Sequence, residues 1–483
     1  MSQTPPDQPI PAPARKARTR LQHLAAVLLG ALFLSWPAFY NGFPLLYPDS
    51  MTYLGDGRIV ARAVFLHQFS PYYGVRSFFY SLGILPFHWN ISPWPIAFLQ
   101  SVLVAWVLWL VVRSIAPRQT HLRYLAVVLV LSLLTGVSWF SVFVMPDILG
   151  PLAYLALYLL VFAPETLSRA ERFSLYPIAV WGITAHATHL VLAAGLILLL
   201  AMYAALERRR FLSRIKSVEK TAAILAVAAA AQLALHGYLY GKPTLNGERP
   251  PYLMARIIAD GPGRQYLETH CAQAQWAICN RMPLHSDDPD DFLWGDDGAY
   301  AGASNGERGL IAQQEMPFVK AVLRAYPREQ LLKSAANFRD QLNAFGIYGF
   351  DPNSWLLDQF NTVLPLARSS FAASRQQRSL LPLDEFTAIQ FCTVVVSLGI
   401  VAVSIPFLWR WPNPKLAGLS VIVVAIVVAN AFVTGVLSMV DDRYGCRVIW
   451  LIPLLAALFL LDWLNRWETG KEIRARTNQE RPD

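Results

Sequence analysis

Tyr47-Pro48-Asp49-Ser50 follows the first apolar run of the chain, and Gly55-Asp56-Gly57-Arg58 comes soon after. An apolar helix end needs only a polar cap, which Asn, Ser or Lys would supply. A carboxylate beside arginines at such a place has further uses: it can take a proton, hold a cation or orient a sugar hydroxyl. Arg58, Arg62 and Arg76 share the loop and suit a phosphate, or they snorkel to lipid headgroups. Three more polar steps interrupt apolar sequence: Met145-Pro146-Asp147, His186-Ala187-Thr188-His189, and Asp441-Asp442-Arg443-Tyr444 with Arg447. Asp49 is the candidate catalytic residue. Asp56, Arg58, Arg62, Arg76, Asp147, His186, His189, Asp442, Arg443 and Arg447 are candidate substrate-binding residues. Each also has a structural reading. Asp49 and Asp147 can cap helices, Asp56 between glycines suits a turn, and the histidines can hydrogen-bond across helices.

The elements that must position these residues are membrane spans. The chain has 483 residues, 55% hydrophobic and 15% charged, with a mean hydropathy of +0.36. A soluble protein carries about 25% charged residues. Long uncharged runs recur, so the expected fold class is an all-α polytopic membrane protein with about ten transmembrane helices and a mostly helical extracytoplasmic domain. Spans are expected near 22–40, 94–112, 122–144, 148–163, 174–185, 187–206, 219–240, 386–409, 416–438 and 447–464. The apolar stretch 174–206 is too long for one untilted span and is expected to turn at His186-Ala187-Thr188-His189. The net charge of +9 does not point to nucleic acid, because Lys and Arg cluster at the ends of apolar runs. Arg113 to Arg123, Arg169 and Arg172, Arg208 to Lys220, Arg410 and Lys415, and Arg466 to Arg476 all fall on one side. That bias puts both termini in the cytoplasm.

The expected organisation is a disordered basic tail at 1–21, a seven-span module at 22–240 with an outer loop at 41–93, an extracytoplasmic domain at 241–385, a three-span module at 386–465 and a cytoplasmic tail at 466–483. Stretches 59–69 and 77–89 are too short to span and read as interfacial helices. Amphipathic helices are expected near 308–326 and 328–345. Cys271 and Cys279 lie eight residues apart in the long polar segment, where an oxidising compartment would join them in a disulfide. Cys392 reads as a buried small hydrophobe, and Cys446 as part of a short outer loop. The acidic run Asp287-Asp288-Pro289-Asp290-Asp291 with Asp296-Asp297 invites a divalent cation, but its order is not that of a helix-loop-helix calcium site. No cofactor is firmly expected, and no metal ligand is assigned. A glycine-rich nucleotide cradle and a zinc spacing are both missing from the sequence.

In layout the chain resembles the C-type glycosyltransferase superfold, which includes protein O-mannosyltransferases and lipid A aminoarabinose transferases. The likeness covers about residues 20–240 and 386–465. It rests on the acidic first loop Tyr47-Pro48-Asp49-Ser50-Met51-Thr52-Tyr53-Leu54, which ends in Arg76-Ser77-Phe78-Phe79-Tyr80-Ser81-Leu82. Pro146-Asp147, His186-Ala187-Thr188-His189, Asp442-Arg443-Tyr444 and Arg447-Val448-Ile449-Trp450 then follow in order. The resemblance implies a polyprenyl-phosphate-linked sugar as donor, transfer at the outer face of a bacterial inner membrane, and Asp49 as the base on the acceptor. The chain departs from the mannosyltransferase pattern because Ser50, not an acid, follows Asp49. The implied partners are that lipid-linked sugar and membrane lipids, with no nucleic acid. A transporter or flippase for a lipid-linked saccharide, and a non-catalytic membrane scaffold, are the alternatives.

Overall fold

A computed structural model describes residues 12–70, 74–206, 211–247 and 249–479. Among them the regular structure is helical throughout. The chain opens with α1 (Ala12–Leu34), α2 (Trp36–Asn41), α3 (Pro48–Leu66) and α4 (Phe78–His88). The bundle continues with α5 (Trp94–Ile115), α6 (Thr120–Leu134), α7 (Val137–Ser141), α8 (Leu149–Phe162), α9 (Arg169–Thr184), α10 (Ala187–Leu206) and α11 (Phe211–Tyr240). A run of shorter helices follows: α12 (Tyr252–Ala259), α13 (Pro262–Ala274), α14 (Pro289–Trp294), α15 (Asn305–Ala325), α16 (Pro327–Asn343), α17 (Ser354–Val363) and α18 (Arg368–Ala372). The chain then returns to the bundle through α19 (Leu383–Arg410), α20 (Pro414–Leu437), α21 (Asp442–Ile449) and α22 (Leu451–Gln479).

Five helical stretches among the described residues are long and apolar enough to cross a membrane: 94–115, 216–240, 383–408, 414–437 and 442–472. Shorter apolar helices stand beside them, at 20–34, 120–134, 146–162 and 187–202. On α19 the outward face carries Ile389, Phe391, Val395, Val396, Leu398 and Val403, all exposed. So continuous an apolar face requires an apolar solvent or partner. One large core joins the bundle helices to α17 and α18. A second, separate core is built from α12 to α15 and includes Ile258, Leu267, Ile311 and Phe318.

Several boundaries differ from the sequence reading. Helix α1 begins at Ala12, inside the segment expected to be a disordered tail, and residues 1–11 lie outside the described residues. At the other end α22 runs to Gln479, through the expected cytoplasmic tail. Arg208 to Arg210 also lie outside the described residues. The expected span 122–144 is broken at Thr135-Gly136, where Gln390 reaches across and its Oε1 accepts the Gly136 N–H (2.5 Å). The interfacial stretch expected at 59–69 belongs to a helix that already starts at Pro48. Cys392 is exposed on α19 rather than buried, and Cys446, expected in a short outer loop, is buried in helix α21. Cys271 and Cys279 are joined by a disulfide.

Two connections hold the future site in place. Leu45 pairs in parallel with Phe143, its N–H donating to the Val142 carbonyl (3.2 Å) and its own carbonyl accepting from Val144 N–H (3.0 Å). This short bridge fixes the entries to α3 and α8 side by side. The α20–α21 connection is clamped by Gln341 of α16, which donates to the Asp441 carbonyl (2.9 Å) and accepts the Asp441 N–H (3.0 Å). Gly57 lets α3 lie against α4: a Cβ there would meet the Ser81 carbonyl oxygen at 2.7 Å.

Candidate functional site

Helix α3 starts where its sequence says it should. Pro48 sits in the first turn, where its missing N–H costs nothing. Ser50 Oγ accepts the Tyr47 N–H (2.9 Å), so the helix start is satisfied by Ser50 rather than by Asp49. The Asp49 carboxylate is therefore available, and Oδ1 accepts from Arg76 Nη2 at 2.6 Å. Arg76 also stacks over Trp294 of α14, 5.1 Å from the ring centroid, and its Nη1 donates to Tyr252 Oη (3.5 Å). Burial works against the Arg76 charge, but Asp49 outweighs it and holds the guanidinium above its ordinary range.

This ion pair forms part of the wall of a cavity of about 720 Å³. Its sides come from α3, the loop before α4, α12, α14, α17 and the start of α21. A smaller cavity of about 210 Å³ adjoins it, and Arg76, His186, Tyr252 and Tyr444 line both. The lining of the smaller cavity mixes apolar residues such as Phe79, Val433 and Leu437 with polar ones such as Thr188, Gln232 and His236. Arg443 enters the larger cavity with its guanidinium 4.5 Å from the Tyr47 ring centroid and 5.1 Å from that of Tyr444. It is only 7% exposed, and its Nε and Nη1 are buried without a hydrogen-bond partner. A buried cation with unused donors next to a polar cavity is a ready anion receptor.

Of the residues singled out by sequence, Asp49, Asp56, Arg76, His186 and Arg443 line the larger cavity. The others do not. Arg58 and Arg62 are exposed on α3 away from the cavity, two and six residues beyond Asp56 and so turned well round the helix from it. Asp147 is buried behind the wall, 3.6 Å from Arg447 Nη1. Arg447 lies equally deep, donating through Nε (3.1 Å) and Nη2 (2.8 Å) to Asn430 Oδ1 and through Nη2 (3.3 Å) to Thr188 Oγ1. His189 points into the bundle, where its Nδ1 pairs with the Gly182 carbonyl (2.8 Å). Asp442 accepts the Gly346 N–H (2.6 Å) and so anchors the loop after α16.

Sequence reasoning missed the far wall. Tyr252, Asp290, Trp294, Asp296, Trp355 and Gln359 come from the segment between the two groups of bundle helices. The acidic run was visible, but its residues divide the work. Asp288 caps α14 by accepting the Asp290 N–H (2.8 Å), and Asp287 pairs with Arg264 (2.5 Å). Asp290 turns into the cavity, where burial and then Asp288 and Asp441 raise its carboxyl above the usual range. Burial pushes Asp56 up to about 6 and the Tyr47 and Tyr252 phenols up to about 12. Among the described residues no group of three or more His, Cys, Asp or Glu side chains is arranged to hold a metal ion.

No family model, curated protein or solved structure matches this chain. The chemistry of the site therefore has to be argued from its own residues. A carboxylate in the wall of the larger chamber can withdraw a proton from a hydroxyl held there. The buried arginine can take up the charge released there.

Proposed function

We propose that this protein is a multi-pass membrane glycosyltransferase that moves a sugar from a polyprenyl-phosphate carrier to an acceptor at the outer face of a bacterial inner membrane. The observation that carries the reading is Asp49, paired with Arg76, in a chamber that also presents Arg443 with two unused donors, while Arg76 itself reaches the second, smaller chamber. In this reading the larger chamber takes the acceptor, and the smaller, half-apolar one takes the lipid end of the donor. The acceptor hydroxyl gives its proton to the Asp49 carboxylate as its oxygen attacks the anomeric carbon. The bond from that carbon to the phosphate oxygen breaks, and the carrier leaves as a phosphate with one more negative charge. Arg443 and Arg76 meet that charge as it forms.

The proposed topology has ten crossings with both termini in the cytoplasm. Two features support it. The chambers lie where α9, α11 and α20 end and where α10 and α21 begin. Arg113, Arg123 and Lys415, basic residues of the loops expected inside, gather at the opposite end of the bundle. The segment 241–385 then covers the chambers from outside.

The test is Asp49→Asn in cells, with the envelope glycans profiled and protein level measured. Loss of one sugar at normal protein level is the expected result. Unchanged glycans would overturn the role of Asp49. Build-up of a lipid-linked saccharide on the inner leaflet would favour transport over transfer.

A further inference from the structure

The larger cavity is acidic. Asp49, Asp56, Asp290, Asp296 and Asp441 line it against two arginines, Arg76 and Arg443. Asp49 is matched by Arg76 (2.6 Å), and Asp441 accepts the backbone N–H of Arg443 (2.7 Å). Asp56, Asp290 and Asp296 have no ion pair among the described residues. Asp56 is the most enclosed of them, 8% exposed, with Oδ2 buried and without a hydrogen-bond partner. An unpaired carboxylate so enclosed is costly unless a ligand brings the opposite charge.

The same cavity has aromatic faces at its rim. Trp294 and Trp355 are 43% and 47% exposed although both line it. Asn353 and Gln359 stand near Trp355 on the same wall. Flat apolar faces beside amides and carboxylates suit a pyranose, which is apolar on its C–H face and polar at its edge. The unpaired carboxylates do not converge, and no metal-holding group of His, Cys, Asp or Glu occurs among the described residues. One protonated amine fits such a dispersed set better than a divalent ion that needs several oxygens at once.

We propose that the acceptor entering the larger cavity is a saccharide with a free, protonated amine, which pairs with Asp56 and is drawn in by Asp290 and Asp296. The inference rests on the larger cavity being the acceptor chamber. Asp49 and Asp56 lie seven residues apart on one face of α3, two turns or about 10 Å along the helix. The amine is therefore held away from the hydroxyl that Asp49 deprotonates, so it selects the acceptor without competing for the base.

Binding to the full chain in lipid nanodiscs tests this, read by calorimetry and by tryptophan fluorescence. The probes are a glucosamine tetramer and the N-acetylated tetramer of the same linkage. At pH 7 the glucosamine tetramer is expected to bind at least about tenfold more tightly. Asp56→Asn should remove most of that preference and Asp290→Asn a smaller part. Equal affinities, or a preference that survives in Asp56→Asn, would overturn the proposal. Trilysine binding as tightly as the tetramer would overturn its saccharide half in favour of a peptide. Displacement of the tetramer by magnesium chloride, reversed by a chelator, would replace the amine with a metal ion. Binding is read without turnover, so its failure leaves the glycan result for Asp49→Asn standing, and the converse holds.

Discussion

The two ends of the bundle use the same residue types in opposite ways. From Pro146 to Phe162 the helical path is about 25 Å long, and polar clusters lie beyond both of its ends. At the far end the basic side chains that pack between helices meet carboxylates. Arg113 grips Glu171 with two bonds (2.8 and 2.9 Å), Arg123 reaches Glu468 (2.8 Å), and Lys415 meets Glu165 (2.9 Å). At the chamber end Arg443 is buried with two nitrogens unused, and Asp56 is buried with an oxygen unused. Matched charges secure loops. Unmatched ones are costly to the fold and are a reason to expect a ligand.

Five variants, one of them with a second-site partner, break or sharpen this contrast, taken from the largest expected effect to the smallest. Asp49→Asn keeps the shape and removes the proposed proton acceptor, so the proposed transfer should fall by about 10²–10⁴-fold in a membrane assay with little change in melting temperature. Arg447→Met strands Asp147 in the bundle (both nearly fully buried) and should cost about 3–5 kcal/mol, read as loss of folded protein in detergent. Adding Asp147→Leu should recover part of that loss. Arg443→Met should lower transfer by about 10²–10³-fold while leaving the melting temperature unchanged or raised. A large fall in stability would mean that Arg443 is a structural group like those of the far end.

Asp56 gives the pH-dependent test. Its carboxyl is raised from 3.8 to about 6 in the folded protein, because burial penalises the charged form. The folded state then binds the proton more tightly than the unfolded one, so stability falls as pH rises from about 4 through about 6. Asp56→Asn should therefore match the wild type near pH 4 and gain up to about 3 kcal/mol at pH 7. A flat difference across that range would show that Asp56 is not the strained group described above. Last, Glu171→Gln at the far end should cost no more than about 1 kcal/mol and leave transfer intact, since both partners are partly exposed.

Much of the chamber end was legible because helix ends are short and polar residues there stand out. Asp49, Asp56, Arg76, His186 and Arg443 could be picked as interruptions of apolar sequence. The same criterion could not separate Arg443 from Arg447, four residues on, nor Asp49 from Asp147. In each pair one residue faces the chamber and the other is turned into the bundle. Arg58 and Arg62 were misread for a related reason. Their distance from Asp49 along the chain is small, but the turn of α3 carries them to the outside. The aromatic and acidic wall from α12, α14 and α17 gave almost no signal, since an isolated Trp or Asp in a polar segment is ordinary.

The sequence by itself determined that this chain is a set of apolar helices with a basic end and a chemically mixed end. Composition, run length and the flanking charges settle that, because transfer of side chains and backbone out of water is a local property. The tertiary structure decided which charges are answered. Asp49 meets Arg76 because α3 packs against α4, and Trp294 of α14 then covers the guanidinium. Arg443 keeps two donors unused, and Asp147 lies deeper, 3.6 Å from Arg447. Pairing depends on distance through space, and residues far apart in sequence supply most of the partners.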